Sequence, residues 1–313
     1  MSLENLFKKE GGLLSSRSHR ASENGEFNKE TWALLKQTER GNLFLVADNT
    51  LDSVFYDTKN LYRYLTVQST FRRMSLTNTL LIAAQMPTAT RIATYDEWVA
   101  QGRNVKKGAQ SISIFEAGDQ YRRKDGSLGT GYDVAKVFDV AQTFGAQLPR
   151  RSEPSLEEKT RLLIDSMKVD FKITPDITSE EGTRYLQNEN TILVSKELMD
   201  DNLKLYRALA LEASAISYAR VTKYDDYAKE LFAWEAQCAA SIVCLANNVS
   251  PIVPEKIPDE YGLTITGISF TTADKRVLLG DIRQAAVDVI ESIDRLKARD
   301  RQAQKNAPEH ERS

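Results

Sequence analysis

Apolar residues along this chain recur first at helical spacing, then at strand spacing, then at helical spacing again, and this alternation predicts an α+β fold. Asn28 is suited to cap a helix running to about Arg40. Leu51, Val54, Phe55, Thr58, Leu61, Tyr62 and Leu65 stand three and four apart, which predicts a second, amphipathic helix. The apolar run over 80–84 makes a third. It stops at Met86, because Pro87 cannot continue a helix and pushes the residue before it toward extended geometry. A short strand is expected over 91–94, a helical stretch over 96–101 with Trp98 on one side, and a strand over 112–115. Gly102 and Gly108 bracket a basic turn, and Asp125-Gly126 is a hairpin-turn signal within the polar stretch 116–130.

The segment 146–155 carries two prolines, mixed charge and no apolar periodicity, and it reads as a domain boundary. Beyond it the pattern predicts a helix over 156–167, a strand over 169–174, and a hairpin whose strands, 184–186 and 191–194, flank Asn188-Glu189-Asn190. Two long helices and a helix over 275–297 follow. The expected organisation is a mobile tail over 1–26, a first domain over 27–146, a linker over 147–155, a second domain over 156–298 and a charged tail over 299–313. There is no internal repeat.

Composition narrows the partners only a little. The apolar and charged fractions, 41% and 27%, are those of an ordinary globular protein, and the net charge is −2. With no long apolar run, no membrane span is expected, and the first 25 residues lack the apolar region and cleavage site of a secretory leader, so a cytoplasmic location is expected. Cys238 and Cys244, six apart on one predicted helix, point in different directions and read as small core residues. Between residues 71 and 145 ten cations face seven acids. Any anionic polymer must therefore be met by local clusters: Arg72-Arg73, Lys106-Lys107 and Arg122-Arg123-Lys124.

Two of those clusters lie beside aromatic rings. Arg103, Lys106 and Lys107 stand close to Tyr95 and Trp98, with Arg91 just upstream, and the third cluster follows Tyr121 at the expected hairpin tip. Cations for phosphates and flat rings for bases are what a single-strand binder requires, and RNA meets them as well as DNA. Trp98 on an amphipathic stretch also reads as a core residue, and basic loops also read as solvated surface.

The ordered set of Asn78, Gln85-Met86-Pro87, Ala89-Thr90, Trp98, Gly102-Arg103, Val105-Lys106-Lys107-Gly108, the strand over 112–115, Phe138-Asp139-Val140 and Gln142-Thr143 resembles the N-terminal domain of antirestriction proteins of the ArdC type. The resemblance implies single-stranded DNA binding by residues 27–146 and carriage on a plasmid, conjugative element or phage. It also implies a second domain of zincin-like, metallopeptidase-like fold, mainly helical with a small sheet.

That family places HExxH on a helix after a hairpin, because histidines at i and i+4 project from one face toward zinc. Here the corresponding residues are Leu211-Glu212-Ala213-Ser214-Ala215, and the chain's two histidines, His19 and His310, lie in the terminal segments. No metal, no cofactor and no peptidase activity are expected. Glu212 and Glu235 remain on apolar helix faces as vestigial-site candidates. Each needs a cationic or hydroxyl partner, a buried water or a raised pKa, or else the two form a hydrogen-bonded pair tying their helices together. No histidine is present to activate Ser214 or Ser217. The expected function is non-catalytic single-stranded DNA binding in antirestriction. The alternatives are a hydrolase using Glu212 and Glu235 with a metal other than zinc, and an adaptor whose second domain binds a host protein.

Overall fold

The computed structural model describes residues 29–149, 153–262 and 270–306. The expected N-terminal tail over 1–26 and both histidines lie outside them. The architecture is α+β: long helices with three small sheets.

The first helix, α1, runs from Lys29 to Val54 without a break. It was expected to end near Arg40, but Gly41 sits in open space on its surface, and one exposed glycine costs only about 1 kcal/mol. That cost is offset where Ala47, Leu51 and Val54 enter the core. The run of apolar residues from Leu51 to Leu65 is therefore two helices rather than one. Asp57 caps the second of them, α2 (Thr58–Thr70), accepting from the Asn60 N–H at 2.7 Å. Helix α3 (Leu76–Gln85) is capped by Ser75 and ends at Met86, as Pro87 requires.

The first sheet has the order β1 (Ile92–Thr94), β4 (Leu128–Asp139), β3 (Ile112–Arg122), all antiparallel, with Ile92 opposite Asp139 and Ile112 opposite Val137. Ile112, Ile114, Ala135 and Val137 pack on Val67, Ile82 and Ala83. Asn78 of α3 fixes the sheet's position, donating to the Phe115 carbonyl at 2.7 Å and accepting from its N–H at 2.8 Å. Short α4 (Tyr95–Ala100) follows β1, and β2 (Arg103–Val105) pairs antiparallel with β5 (Thr143–Gly145) as a separate ribbon. The expected basic turn is thus a strand from Arg103 to Val105, with only Lys106 to Ala109 turning.

In the second half, α5 (Leu156–Met167) leads into a sheet of order β6 (Asp170–Thr174), β8 (Thr191–Ser195), β7 (Thr183–Leu186); β6 is parallel and β7 antiparallel to β8. The hairpin turn is Gln187–Glu189, closed by Asn190 at φ 48°, a conformation that asparagine tolerates. Helices α6 (Asn202–Thr222), α7 (Ala233–Ala246), short α8 (Asp259–Gly262) and α9 (Thr272–Asn306) complete the described chain. The last helix continues past the expected end at Lys297.

A second, larger hydrophobic cluster runs through both halves. Leu51, Leu61, Leu65, Leu80 and Leu81 belong to the same buried cluster as Leu209, Ile242, Val243, Ile282 and Ile290. Helix α7 is made of small and branched residues, Ala236, Cys238, Ala239, Ile242 and Val243 among them, buried all round so that α2, α6 and α9 can approach it. Both cysteines are free and buried there; burial pushes the Cys238 thiol far up and the Cys244 thiol up to about 12. Helix α9 is also tied to the first half by polar contacts. Arg72 pairs with Asp294 at 2.7 Å, Lys275 with Asp52 at 2.9 Å and Arg276 with Asp48, and Arg283 donates to the Met74 carbonyl. Among the described residues no helix is long and apolar enough to cross a membrane.

Candidate nucleic-acid interface

Trp98 organises the first cationic patch from beneath. A capping box starts α4: Thr94 accepts from the Glu97 N–H, and the Glu97 carboxylate accepts from the Thr94 N–H. This turn directs the indole inward, where it is 0% exposed and donates Nε1–H to the Phe138 carbonyl at 2.8 Å. A base has no access to a ring so covered, so Trp98 is not the stacking platform that its place among the basic residues suggested; the core reading of the sequence is the one that holds. What cover it are two guanidinium groups, those of Arg91 and Arg103, whose carbons lie 5.8 and 5.9 Å from the ring centroid.

Each arginine is held from behind. Arg91 donates to Gln101 Oε1 at 2.8 Å. Arg103 donates through Nε to Thr143 Oγ1 at 2.8 Å and also reaches the Thr143 and Ala146 carbonyls. The Phe138-Asp139-Val140 and Gln142-Thr143 residues explain this order. Buried Asp139 accepts from the N–H groups of Thr90, Arg91 and Ala141, and Gln142 accepts from the Asp139 N–H, so the chain is locked where it passes from β4 to β5. Gly145, at φ 129°, crosses so close to Gly102 that a Cβ would meet the Gly102 carbonyl oxygen at 2.4 Å; only glycine fits.

Lys106 donates to the Ala141 carbonyl at 2.8 Å, and Lys107 is exposed at the turn closed by Gly108 at φ 82°. Arg91, Arg103, Lys106 and Lys107 form no salt bridge with any described residue, so their charges stay available to an outside anion. Tyr95 is 53% exposed at the start of α4. Phe144, 55% exposed on β5, was not anticipated; strand alternation, with Thr143 buried and Phe144 out, is the signal that would have found it.

The remaining predicted cations lie elsewhere. Arg72 is engaged by Asp294, which neutralises it, while its neighbour Arg73 is exposed. Tyr121, Arg122, Arg123 and Lys124 lie at the far end of the β3–β4 hairpin, whose strands run further than the sequence suggested, so that Tyr121 and Arg122 are in β3 and not at the turn. Arg123 and Gly126 close the turn, and Asp125 accepts from both the N–H and the hydroxyl of Ser127, contacts that hold its carboxyl below the usual range.

Glu212 and Glu235 have separate partners and do not bond to each other. Glu212, 0% exposed, accepts from Thr183 Oγ1 at 2.8 Å, the Tyr185 N–H at 3.1 Å, Tyr227 Oη at 2.6 Å and Lys229 Nζ at 2.7 Å. It ties α6 to β7 and to the segment before α7. Burial and the Glu212 charge push the Tyr227 phenol well up. Glu235 accepts from the Tyr261 hydroxyl. The apolar helix face that carries Glu235 begins only with α7, since residues Lys229–Phe232 before it form a 3-10 turn that leaves Leu231 exposed.

These carboxylates do not fit a metal centre. Four donors, one an ammonium, occupy the oxygens of Glu212, and among the described residues no three His, Cys, Asp or Glu side chains gather where an ion could bind. Ser214 and Ser217 are buried with unpartnered hydroxyls, and Ser217 lines a cleft of about 220 Å³ with Met167, Arg220 and Asp288.

Residues 56–153 match the family model of the N-terminal domain of the anti-restriction factor ArdC. That segment, about a third of the chain, is similar to the ArdC N-terminal domain. The matched segment contains the Trp98 patch, the Asp139 lock and the whole β3–β4 hairpin. The chain is also similar to the crystal structure of the metal-free antirestriction ArdC protein from plasmid R388, at 15% identity and a TM-score of 0.44, over 72% of this chain and 85% of that one. The Mn(II)-bound structure of that protein gives 15% identity and a TM-score of 0.42 over 71% and 83%. No protein of curated function matches the chain.

Proposed function

We propose that this protein binds single-stranded DNA and serves an antirestriction role on a mobile element, shielding the incoming strand, without catalysis of its own. The observation that carries the reading is a coincidence of place. The segment matched to the ArdC N-terminal domain is also where Arg91, Arg103, Lys106 and Lys107 gather with no acidic partner among the described residues, beside the exposed rings of Tyr95 and Phe144. Phosphates would meet the guanidinium and ammonium groups, and unpaired bases the two rings.

The second half is read as a metallopeptidase-like, zincin-like scaffold that has lost its chemistry, with Leu211 and Ala215 standing where the family's histidines would be. Support for its being inert comes from Glu212: a carboxylate already bonded to Lys229, Tyr227 and Thr183 cannot take a proton from water without breaking that set. It also braces the first half through α9.

A titration with single-stranded DNA, duplex and RNA of equal length, at two salt concentrations, tests the reading. Tighter binding to the single strand, weakening as salt rises, is expected. Equal or better binding to duplex, or indifference to salt, contradicts it.

A further inference from the structure

We infer that the protein holds a single strand at two separate seats, the second being the distal end of the β3–β4 hairpin around Tyr121. This deepens the proposed function and rests on it. The base of the hairpin, where Ile112 faces Val137, adjoins the Trp98 patch, and the far end, where Arg122 faces Leu128, is ten residues further along β3. At strand geometry that is on the order of 30 Å.

The two ends share a chemistry that the middle lacks. At the far end Tyr121 lies directly across the ladder from Gly129, and its ring passes so close that a Cβ on Gly129 would meet it at 2.7 Å. Glycine at that position gives the ring a backbone floor and leaves it 52% exposed as a flat surface for a base. Arg122, Arg123 and Lys124 follow, all exposed and without acidic partners among the described residues, while the one carboxylate in the turn, Asp125, is engaged by Ser127.

Between the seats the hairpin is acidic. Glu116 and Asp119 have no cationic partner among the described residues, while Asp133, which faces Glu116 across the ladder, is paired with Arg40, and Lys136 with Glu39. Phosphates are favoured at both ends and repelled along the stretch that joins them. A flexible single strand can bridge such seats whichever way they face and offer unpaired bases to the rings at both; a duplex keeps its bases paired and stacked on one another, so the rings gain nothing from it.

The test is a length series of oligothymidylates from about 4 to about 20 nucleotides, with matched duplexes, bound by the full chain and by the Arg122→Ala/Arg123→Ala/Lys124→Ala variant. Stacked nucleotides advance by roughly 3.4 Å, so bridging needs on the order of ten. Affinity of the parent protein should rise by at least about tenfold once that length is passed, because the second contact becomes intramolecular. The variant should lose the rise while the shortest oligomers keep the parent's affinity at the Trp98 patch, and the duplexes should show no rise. A smooth length dependence in the parent, or equal weakening of short and long oligomers in the variant, would overturn the two-seat inference. Failure of every oligomer to bind would instead overturn the proposed function. The substituted residues are exposed at a turn, and a circular dichroism spectrum matching the parent confirms that the variant is folded.

Discussion

Replacing Lys229 by Met tests how the second half uses its remaining carboxylate. The substitution keeps most of the apolar stem and removes the ammonium that lies 2.7 Å from Glu212. Glu212 is fully buried and the Lys229 side chain only 18% exposed, so solvent cannot replace the lost charge. Three neutral donors, Thr183, Tyr185 and Tyr227, remain to hold an uncompensated carboxylate. Breaking one side of such a buried pair costs about 3–5 kcal/mol. Urea unfolding followed by circular dichroism should show that loss, and the double variant Lys229→Met/Glu212→Leu should be less destabilised than the sum of its parts by about 2 kcal/mol. If Lys229→Met unfolds within about 1 kcal/mol of the parent, Glu212 does not depend on its ammonium, and the case for a purely structural carboxylate fails.

Other consequences can be checked separately. Substituting Lys106 and Lys107 together by Ala should flatten the dependence of log affinity on log salt for single strands by about 1.4, two contacts at roughly 0.7 each; an unchanged slope would remove that turn from the interface. Trp98→Phe should lower stability by about 1–2 kcal/mol through loss of the bond to the Phe138 carbonyl, yet leave affinity within a few-fold; a folded variant that no longer binds would show that the indole itself meets the ligand. Burial pushes the phenols of Tyr64, Tyr206, Tyr218, Tyr227 and Tyr261 upward, so the stability they lend is complete below the unfolded tyrosine pKa of about 10 and declines as pH climbs above it. Tyrosinate absorbance should therefore report only the exposed phenols until the circular dichroism signal collapses. All twelve tyrosines ionising together near pH 10 in a folded protein would contradict that.

Much of this architecture can be read from local sequence, and what cannot is set by contacts between distant residues. Pro87 ends α3, Asp125-Gly126 turns the hairpin, and Trp98 falls on the buried side of a short helix, each by rules acting over a few residues. The unbroken α1 was hidden because Gly41 looks like a stop until Ala47 and Leu51 are seen to be anchored in the core. Helix α9, more than 200 residues along the chain from Asp48 and Met74, packs against them through Arg276 and Arg283, and no periodicity reveals a partner at that separation. The donors around Glu212 come from positions 15 to 29 residues away; the sequence shows that such a carboxylate must have partners but not which ones. At the cationic patch, the residue types were visible, while their division into a buried ring and two guanidinium groups covering it depends on the direction α4 takes out of its capping box.

The surface over Trp98 is proposed to grip unpaired polynucleotide through Arg91 and Arg103. Anisotropy titration of a labelled single strand against the parent and the Arg91→Gln/Arg103→Gln variant measures this directly. The parent should form a salt-sensitive complex that the folded variant weakens by at least about tenfold, one bond to phosphate per arginine. Equal affinity of the two proteins, or no complex with the parent even in dilute buffer, would contradict it.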